Sequence, residues 1–216
     1  MEQKILKEWQ EKAIDFVFSK SELSSFYLTG GTALSGYYLH HRISDDLDLF
    51  SYDEFDHIFI RSVADSLREI IGSDTVRFSK LYDRYQFYYP VKEEELKVEF
   101  TLYPFRQLKS PTVFFGARID SEFDIAVNKL ITITDRFDPK DYVDLYFLLL
   151  KYPLSDLREG VLSKFRTKLD PLTIGSSFAK VKNISSLPKM VKDLSVEELK
   201  DFFNTEAKKL SSEIIK

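Results

Sequence analysis

Phe26–Phe50, FYLTGGTALSGYYLHHRISDDLDLF, joins a glycine turn to a strand that carries two aspartates. Phe26-Tyr27-Leu28 reads as a short buried strand and Thr29-Gly30-Gly31-Thr32 as a tight turn. Ala33 to Leu39 then forms a helix whose first N–H groups have no internal partner. Donors placed this way suit a phosphate, and a glycine pair lets it approach the backbone closely. Beyond Arg42, Asp46-Leu47-Asp48-Leu49-Phe50 alternates with period two, so a strand sets both carboxylates on one face and the leucines on the other. Neighbouring carboxylates repel unless a cation separates them; Mg²⁺, bound by carboxylates together with substrate phosphates, answers that need. Asp45 points to the opposite face and stays outside the candidate site.

Outward from this stretch, the 216 residues can bury a substantial core. There is no cysteine, which removes disulfides, thiolate zinc sites and cysteine nucleophiles and fits a reducing compartment. The charged N-terminus lacks an apolar signal-like core, and no run approaches the roughly 20 apolar residues of a membrane span. A soluble, cytoplasmic protein with no membrane contact is therefore expected. The net charge of -4 hides an asymmetry, because residues 151–192 hold nine Lys/Arg against three Asp/Glu. Such a segment can track a polyanion, or its cations can simply face water on amphipathic helices. His40, His41 and His57 lack metal-ligand spacing and read as ordinary surface or loop residues.

The pattern predicts a helix over 3–19, the strand–turn–helix–strand unit above, and a helix from about Glu54 to Ile71 stopped by Gly72. Strands are predicted at 75–78, 85–89, 96–103 and 112–115, rich in aromatic and branched residues. Helices follow near 122–135, 140–151, 155–168 and 195–214, the last opened by a capping box from Ser195 to Glu198. The fold class is α+β: a mixed sheet flanked by helices, with an α-helical C-terminal region. The expected division is a catalytic core over 1–120 and a helical region over 121–216 that completes the site and can contact an acceptor.

A glycine pair after a short strand, a helix, and Asp-x-Asp on the next strand resembles the signature of the nucleotidyltransferase superfamily that shares its fold with DNA polymerase beta. Within it, Gly30-Gly31-Thr32-Ala33-Leu34 and Arg42-Ile43-Ser44-Asp45-Asp46-Leu47-Asp48-Leu49-Phe50 resemble the AbiEii/AbiGii type of nucleotidyltransferase toxin. A second block, Lys129, Arg136 and Lys140-Asp141-Tyr142-Val143-Asp144-Leu145, follows in the same order. The resemblance covers about residues 24–150. It implies a third carboxylate on a neighbouring strand, Glu99, in place of the more usual and shorter aspartate, so that Asp46, Asp48 and Glu99 surround the metal. It also implies that Gly30, Gly31, Thr32, Arg42, Ser44 and Lys129 bind the nucleotide, and that Asp141 or Asp144 acts as a base or orients Lys129.

The implied activity is Mg²⁺-dependent transfer of a nucleoside monophosphate from an NTP to an acceptor hydroxyl. RNA is the implied acceptor, tRNA 3′ ends foremost, and the protein is the toxin partnered by an antitoxin encoded nearby. Such chemistry uses carboxylate-bound cations to orient the triphosphate and to stabilise the departing pyrophosphate. Two other readings stay open: an aminoglycoside-type enzyme acting on a small molecule, and a nucleotide-binding module without turnover. Singly, each residue has a plainer role. Gly30-Gly31 fits an ordinary turn, Lys129 a surface lysine, Asp141 a helix N-terminus, and Arg42 a structural partner for Asp46 or Asp48.

Overall fold

A computed structural model describes residues 5–214, so residues 3 and 4 of the expected first helix lie outside the described residues. Two compact units are present, Met1–Tyr38 with Ser44–Ser121, and Leu39–Ile43 with Glu122–Lys216.

The first unit is built on a seven-stranded mixed sheet. Its strands are β1 (Tyr27–Thr29), β2 (Leu47–Ser51), β3 (Arg77–Leu81), β4 (Arg84–Val91), β5 (Glu94–Leu102), β6 (Thr112–Phe114) and β7 (Ala117–Ile119), in the order β3-β4-β5-β2-β1-β7-β6. Strand β2 runs antiparallel to β1 and parallel to β5, with Asp48 opposite both Thr29 and Glu99. Strand β4 continues the row antiparallel to β5, placing Gln86 opposite Glu99. Period-two alternation then divides the sheet. Leu47, Leu49, Val98, Phe100, Tyr85 and Phe87 form its buried apolar face, while Asp48, Glu99 and Gln86 share the other.

Helices α1 (Glu8–Phe18) and α3 (His57–Ile71) belong to this unit, as does the short α2 (Gly30–Leu34), which a π-turn over Ser35–Leu39 extends. Helix α3 starts where Asp56 accepts hydrogen bonds from the Ile58 and Phe59 N–H groups and ends at Gly72, whose φ of 77° is left-handed. Ile60, Val63, Ala64, Leu67 and Ile71 bury one stripe of it, and the Tyr89 hydroxyl of β4 donates to the Ala64 carbonyl at 3.1 Å. Phe26 packs between Phe55 (5.0 Å between ring centroids) and Phe100 (5.4 Å), adding edge-on aromatic contacts to the core.

The second unit contains α4 (Glu122–Asp135), α5 (Pro139–Leu149), α6 (Leu154–Phe165), α7 (Pro171–Ala179) and α8 (Val196–Ile214). Asp138 and Asp170 cap α5 and α7, each followed by proline at the first helical position, where a missing N–H costs nothing. Tyr142 of α5 packs against Phe203 of α8 and donates to the Ser177 carbonyl of α7 at 2.6 Å. The Leu39–Ile43 segment joins this unit through backbone bonds: the Val191 and Lys192 N–H groups donate to the His41 carbonyl at 2.8 and 3.0 Å.

The mixed sheet with its helices bears out the α+β expectation. Local boundaries differ. Helix α2 begins at Gly30 rather than after the turn, β3 is displaced to Arg77–Leu81, and β7 and α7 are additions. Among the described residues no helix is long and apolar enough to cross a membrane.

Candidate active site

The glycine turn and the aspartate strand meet in the first unit. Gly30 takes a φ of 72°, and a Cβ built on it would lie 2.5 Å from Asp48 Oδ2, so both backbone geometry and space demand glycine here. The Thr32 hydroxyl donates to the Asp46 carbonyl, tying the loop before β2 to α2. Behind them the Thr29 hydroxyl donates to the buried Asp120 carboxylate at 2.8 Å, and Gln107 Nε2 donates to its other oxygen at 2.6 Å. Gly31 is the second residue of α2. The Ser44 carbonyl accepts from Gln10 Nε2 at 2.9 Å, and Asp45 turns away to pair with Lys7 at 2.8 Å.

Asp46 and Asp48 converge on one point, and a lysine ammonium fills it. Lys97 Nζ lies 3.3 Å from Asp46 Oδ2, 3.6 Å from Asp48 Oδ1 and 3.5 Å from Glu99 Oε2. Strand alternation puts it there, since Lys97 and Glu99 share a face of β5. Burial opposes its charge, but Asp48, Asp46 and Glu99 together raise the Lys97 pKa well above the usual lysine value, so it is an ammonium at neutral pH.

Glu99 is almost wholly buried, with both oxygens engaged. Arg84 donates to Oε1 at 2.5 Å and to Oε2 at 2.8 Å, Gln86 Nε2 donates at 2.9 Å and the Thr101 hydroxyl at 2.9 Å. Burial pushes the carboxyl up, but the Arg84 hydrogen bonds, the Lys97 charge and Gln86 outweigh it and hold the pKa at about 2. The bidentate fork makes Arg84 the strongest of these partners.

A second polar centre lies in the second unit. Asp144 is fully buried, and four donors reach it: His41 Nε2 (2.7 Å) and Arg42 Nε (2.7 Å) on Oδ1, Arg42 Nη2 (2.8 Å) and Lys129 Nζ (2.6 Å) on Oδ2. Lys129 also donates to Asp141 Oδ1 at 2.7 Å, while Arg136 holds Asp141 Oδ2 at 2.8 and 2.9 Å. Burial alone raises the Asp144 pKa, yet Lys129, Arg42 and His41 drive it well below the ordinary value; Lys129 is raised by the same carboxylates against its own burial. Burial lowers His41 more than Asp144 raises it, with Arg42 and Lys129 adding to the lowering. The imidazole is therefore neutral at pH 7 and donates its Nε2–H, and its buried Nδ1 is without a hydrogen bond.

The structure thus gathers Asp46, Asp48 and Glu99 in one unit, and Arg42, Lys129, Asp141 and Asp144 in the other. Arg42 pairs with Asp144 rather than with Asp46 or Asp48, and His41 is a buried network member rather than a surface residue. Asp141 and Asp144 are as buried as the apolar side of α5. Lys97, Arg84 and His41 escaped sequence reasoning. Only Lys97 carried a signal, its i, i+2 spacing from Glu99. In the basic stretch, Lys164 is buried against Asp124 at 2.8 Å and Lys151 pairs with Glu122 at 2.5 Å.

Among the described residues no group of three or more His, Asp or Glu side chains is arranged to hold a metal ion. Both oxygens of Glu99 are engaged by Arg84. The Asp46–Asp48 pair does fit a divalent cation: one oxygen of each already faces a single positive charge, and two carboxylates completed by substrate phosphates is a common Mg²⁺ arrangement.

Sheet, glycine turn and paired aspartates keep the arrangement on which the resemblance to nucleotidyltransferases rests. Similarity to known proteins makes the assignment specific. The family model described as "Nucleotidyl transferase AbiEii toxin, Type IV TA system" matches residues 16–213, and the chain belongs to that family. Uncharacterized protein aq_aa25 of Aquifex aeolicus (strain VF5) is 34% identical over 171 residues, 74% of this chain and 76% of the relative. Two solved structures share the fold. JHP933 from Helicobacter pylori has a TM-score of 0.57 at 22% identity, covering 95% of this chain and 90% of its own. MenT4, the nucleotidyltransferase toxin Rv2826c from Mycobacterium tuberculosis H37Rv, has a TM-score of 0.56 at 14% identity, covering 93% and 81%.

Proposed function

We propose that this toxin-family enzyme transfers a nucleoside monophosphate from an NTP to a hydroxyl of RNA, with tRNA 3′ ends as the acceptor class and Mg²⁺ as the metal. The observation that carries the reading is the convergence of Asp46 and Asp48 on one cation position beside a glycine that admits no side chain. Asp46 and Asp48 would hold the metal, which would supply Lewis-acid polarisation of the reacting phosphate and offset charge on the departing pyrophosphate. Gly30 and Gly31 admit a phosphate to the backbone, and Thr32 fixes the loop that presents Asp46. Glu99, charged throughout the physiological range, anchors Arg84 and Lys97 beside the pair.

Lys129 belongs to the machinery as a preset charge. Two carboxylates of its own unit hold its ammonium protonated, and Asp141 and Asp144 orient it rather than serve as bases, since their oxygens are committed to cations. Arg42 contributes by fixing Asp144, and Ser44 by anchoring the segment before the aspartates through its carbonyl. A cognate antitoxin restrains the activity in the cytoplasm of a bacterial host.

Incubation with Mg²⁺, each labelled NTP in turn and either total bacterial RNA or an aminoglycoside tests the proposal. Label on a tRNA-sized band with one NTP supports it. Label only on an aminoglycoside or similar small acceptor moves the protein to the small-molecule class, and binding of NTP without transfer to either makes it a module without turnover.

A further inference from the structure

Lys97 has no part in the chemistry described so far, yet it stands where the metal is needed. We propose that Lys97 couples metal binding to nucleotide binding: its ammonium fills the cation position between Asp46, Asp48 and Glu99 until a metal–triphosphate complex arrives, then moves onto the triphosphate. The proposal rests on the nucleotide-transfer reading above.

Lys97 Nζ is within 3.3–3.6 Å of one oxygen from each of the three carboxylates. A divalent cation taken up by Asp46 and Asp48 shares that space with the ammonium, and two like charges cannot both occupy it. One cation of the cluster is fixed and the other is not. Arg84 grips both oxygens of Glu99 in a planar fork. Lys97 makes only longer contacts, through a flexible four-carbon arm whose side chain is 18% exposed, so it has both the freedom and the opening to leave.

Departure strips the ammonium of three partners at once. A bare metal ion offers nothing in return, whereas a metal-bound triphosphate brings several anionic oxygens. The free cation is therefore opposed and the metal–nucleotide complex is admitted. The same ammonium screens Asp46 from Asp48 in the metal-free protein, which keeps the pair assembled while it waits.

Mn²⁺ serves as a spectroscopic probe, its free concentration read by electron paramagnetic resonance, with and without the α,β-methylene analogue of each NTP. The wild type should bind Mn²⁺ at least about tenfold more tightly when the accepted analogue is present, within the usual range of coupling between two ligands. Lys97→Met should bind bare Mn²⁺ about tenfold more tightly than the wild type and lose most of the enhancement by the analogue. Lys97→Gln, which retains a polar head, should behave the same way and carries the comparison if the methionine variant does not fold by circular dichroism. Equal or weaker Mn²⁺ binding by the Lys97 variants, or an undiminished enhancement, overturns the coupling. Asp48→Asn separates the two claims: if it binds Mn²⁺ as the wild type does, the metal pair itself is misassigned. No Mn²⁺ binding by the wild type under any condition overturns both.

Discussion

Asp144→Asn tests whether the second polar centre is held together by charge. The aspartate is fully buried and takes three hydrogen bonds and one further ion-pair contact from three residues, two of them cations. The amide keeps the shape, but it leaves Arg42 and Lys129 beside a neutral group whose NH₂ faces a donor. Removing one partner of a buried ion pair costs about 3–5 kcal/mol, and the retained shape argues for the lower end, about 3 kcal/mol. For a chain of this size that corresponds to a melting temperature lower by about 6–12 °C. The pH dependence gives an independent check. The folded carboxyl is held well below 3.8, so the unfolded chain takes up the proton first. Its stabilisation is present above the unfolded pKa and is lost as pH falls toward the folded one. Urea unfolding at pH 7 and pH 3 should show the gap between wild type and Asp144→Asn narrowing by about 1 kcal/mol at the lower pH. A loss below about 1 kcal/mol at pH 7, or a gap that widens in acid, refutes the assignment.

Arg84→Gln removes the strongest partner of Glu99, so burial should lift its carboxyl from about 2 toward the ordinary range; a carboxyl-detected NMR titration that still places it near 2 contradicts the account. In the wild type the stability from Glu99 is present above its unfolded value of 4.5 and disappears as pH approaches 2, and Arg84→Gln should flatten that acid limb. Gly30→Ala combines left-handed strain of about 1–2 kcal/mol with a methyl pressed onto Asp48, so both urea stability and Mn²⁺ affinity should fall. A variant unchanged in both measurements would show that neither the backbone geometry nor the contact constrains this turn.

Strand β2 was legible because its signal is local. Leucines at 47 and 49 with Asp48 between them declare the strand and its two faces before any partner is known, although it runs over Leu47–Ser51 and leaves Asp46 in the loop just before it. The same holds for the extent of α3 and its Gly72 stop, although of the expected stripe Phe55, Ile58, Phe59, Val63 and Leu67 only Val63 and Leu67 are in the buried face and Ile58 is exposed. Strand β7, the three residues Ala117–Ile119, was missed although it pairs locally: it returns antiparallel along β6 across the Phe115-Gly116 turn, and only the pairing of Ile119 with Leu28, about 90 positions away, is remote. Helix α7 announces itself only by Asp170-Pro171, because Gly175, Ser176 and Ser177 dilute its helical preference. His41 shows the general limit. Nothing in its neighbourhood marks it for burial, and only the folding of residues 39–43 into the helical unit brings it to Asp144. The partners of a carboxylate are a tertiary property, which is why the sequence offers Asp46, Asp48 and Glu99 as candidates but not Lys97 and Arg84, which pair with them in the fold.

The central claim is that Asp46 and Asp48 hold the metal for nucleotide transfer. Its most direct test compares wild type with Asp48→Asn, a change that preserves shape and removes one charge, for Mg²⁺-dependent transfer of label from an NTP to RNA, with circular dichroism verifying the fold. The account predicts label on a tRNA-sized band with the wild type and none with a folded Asp48→Asn protein. A folded variant that labels RNA at the wild-type rate contradicts it.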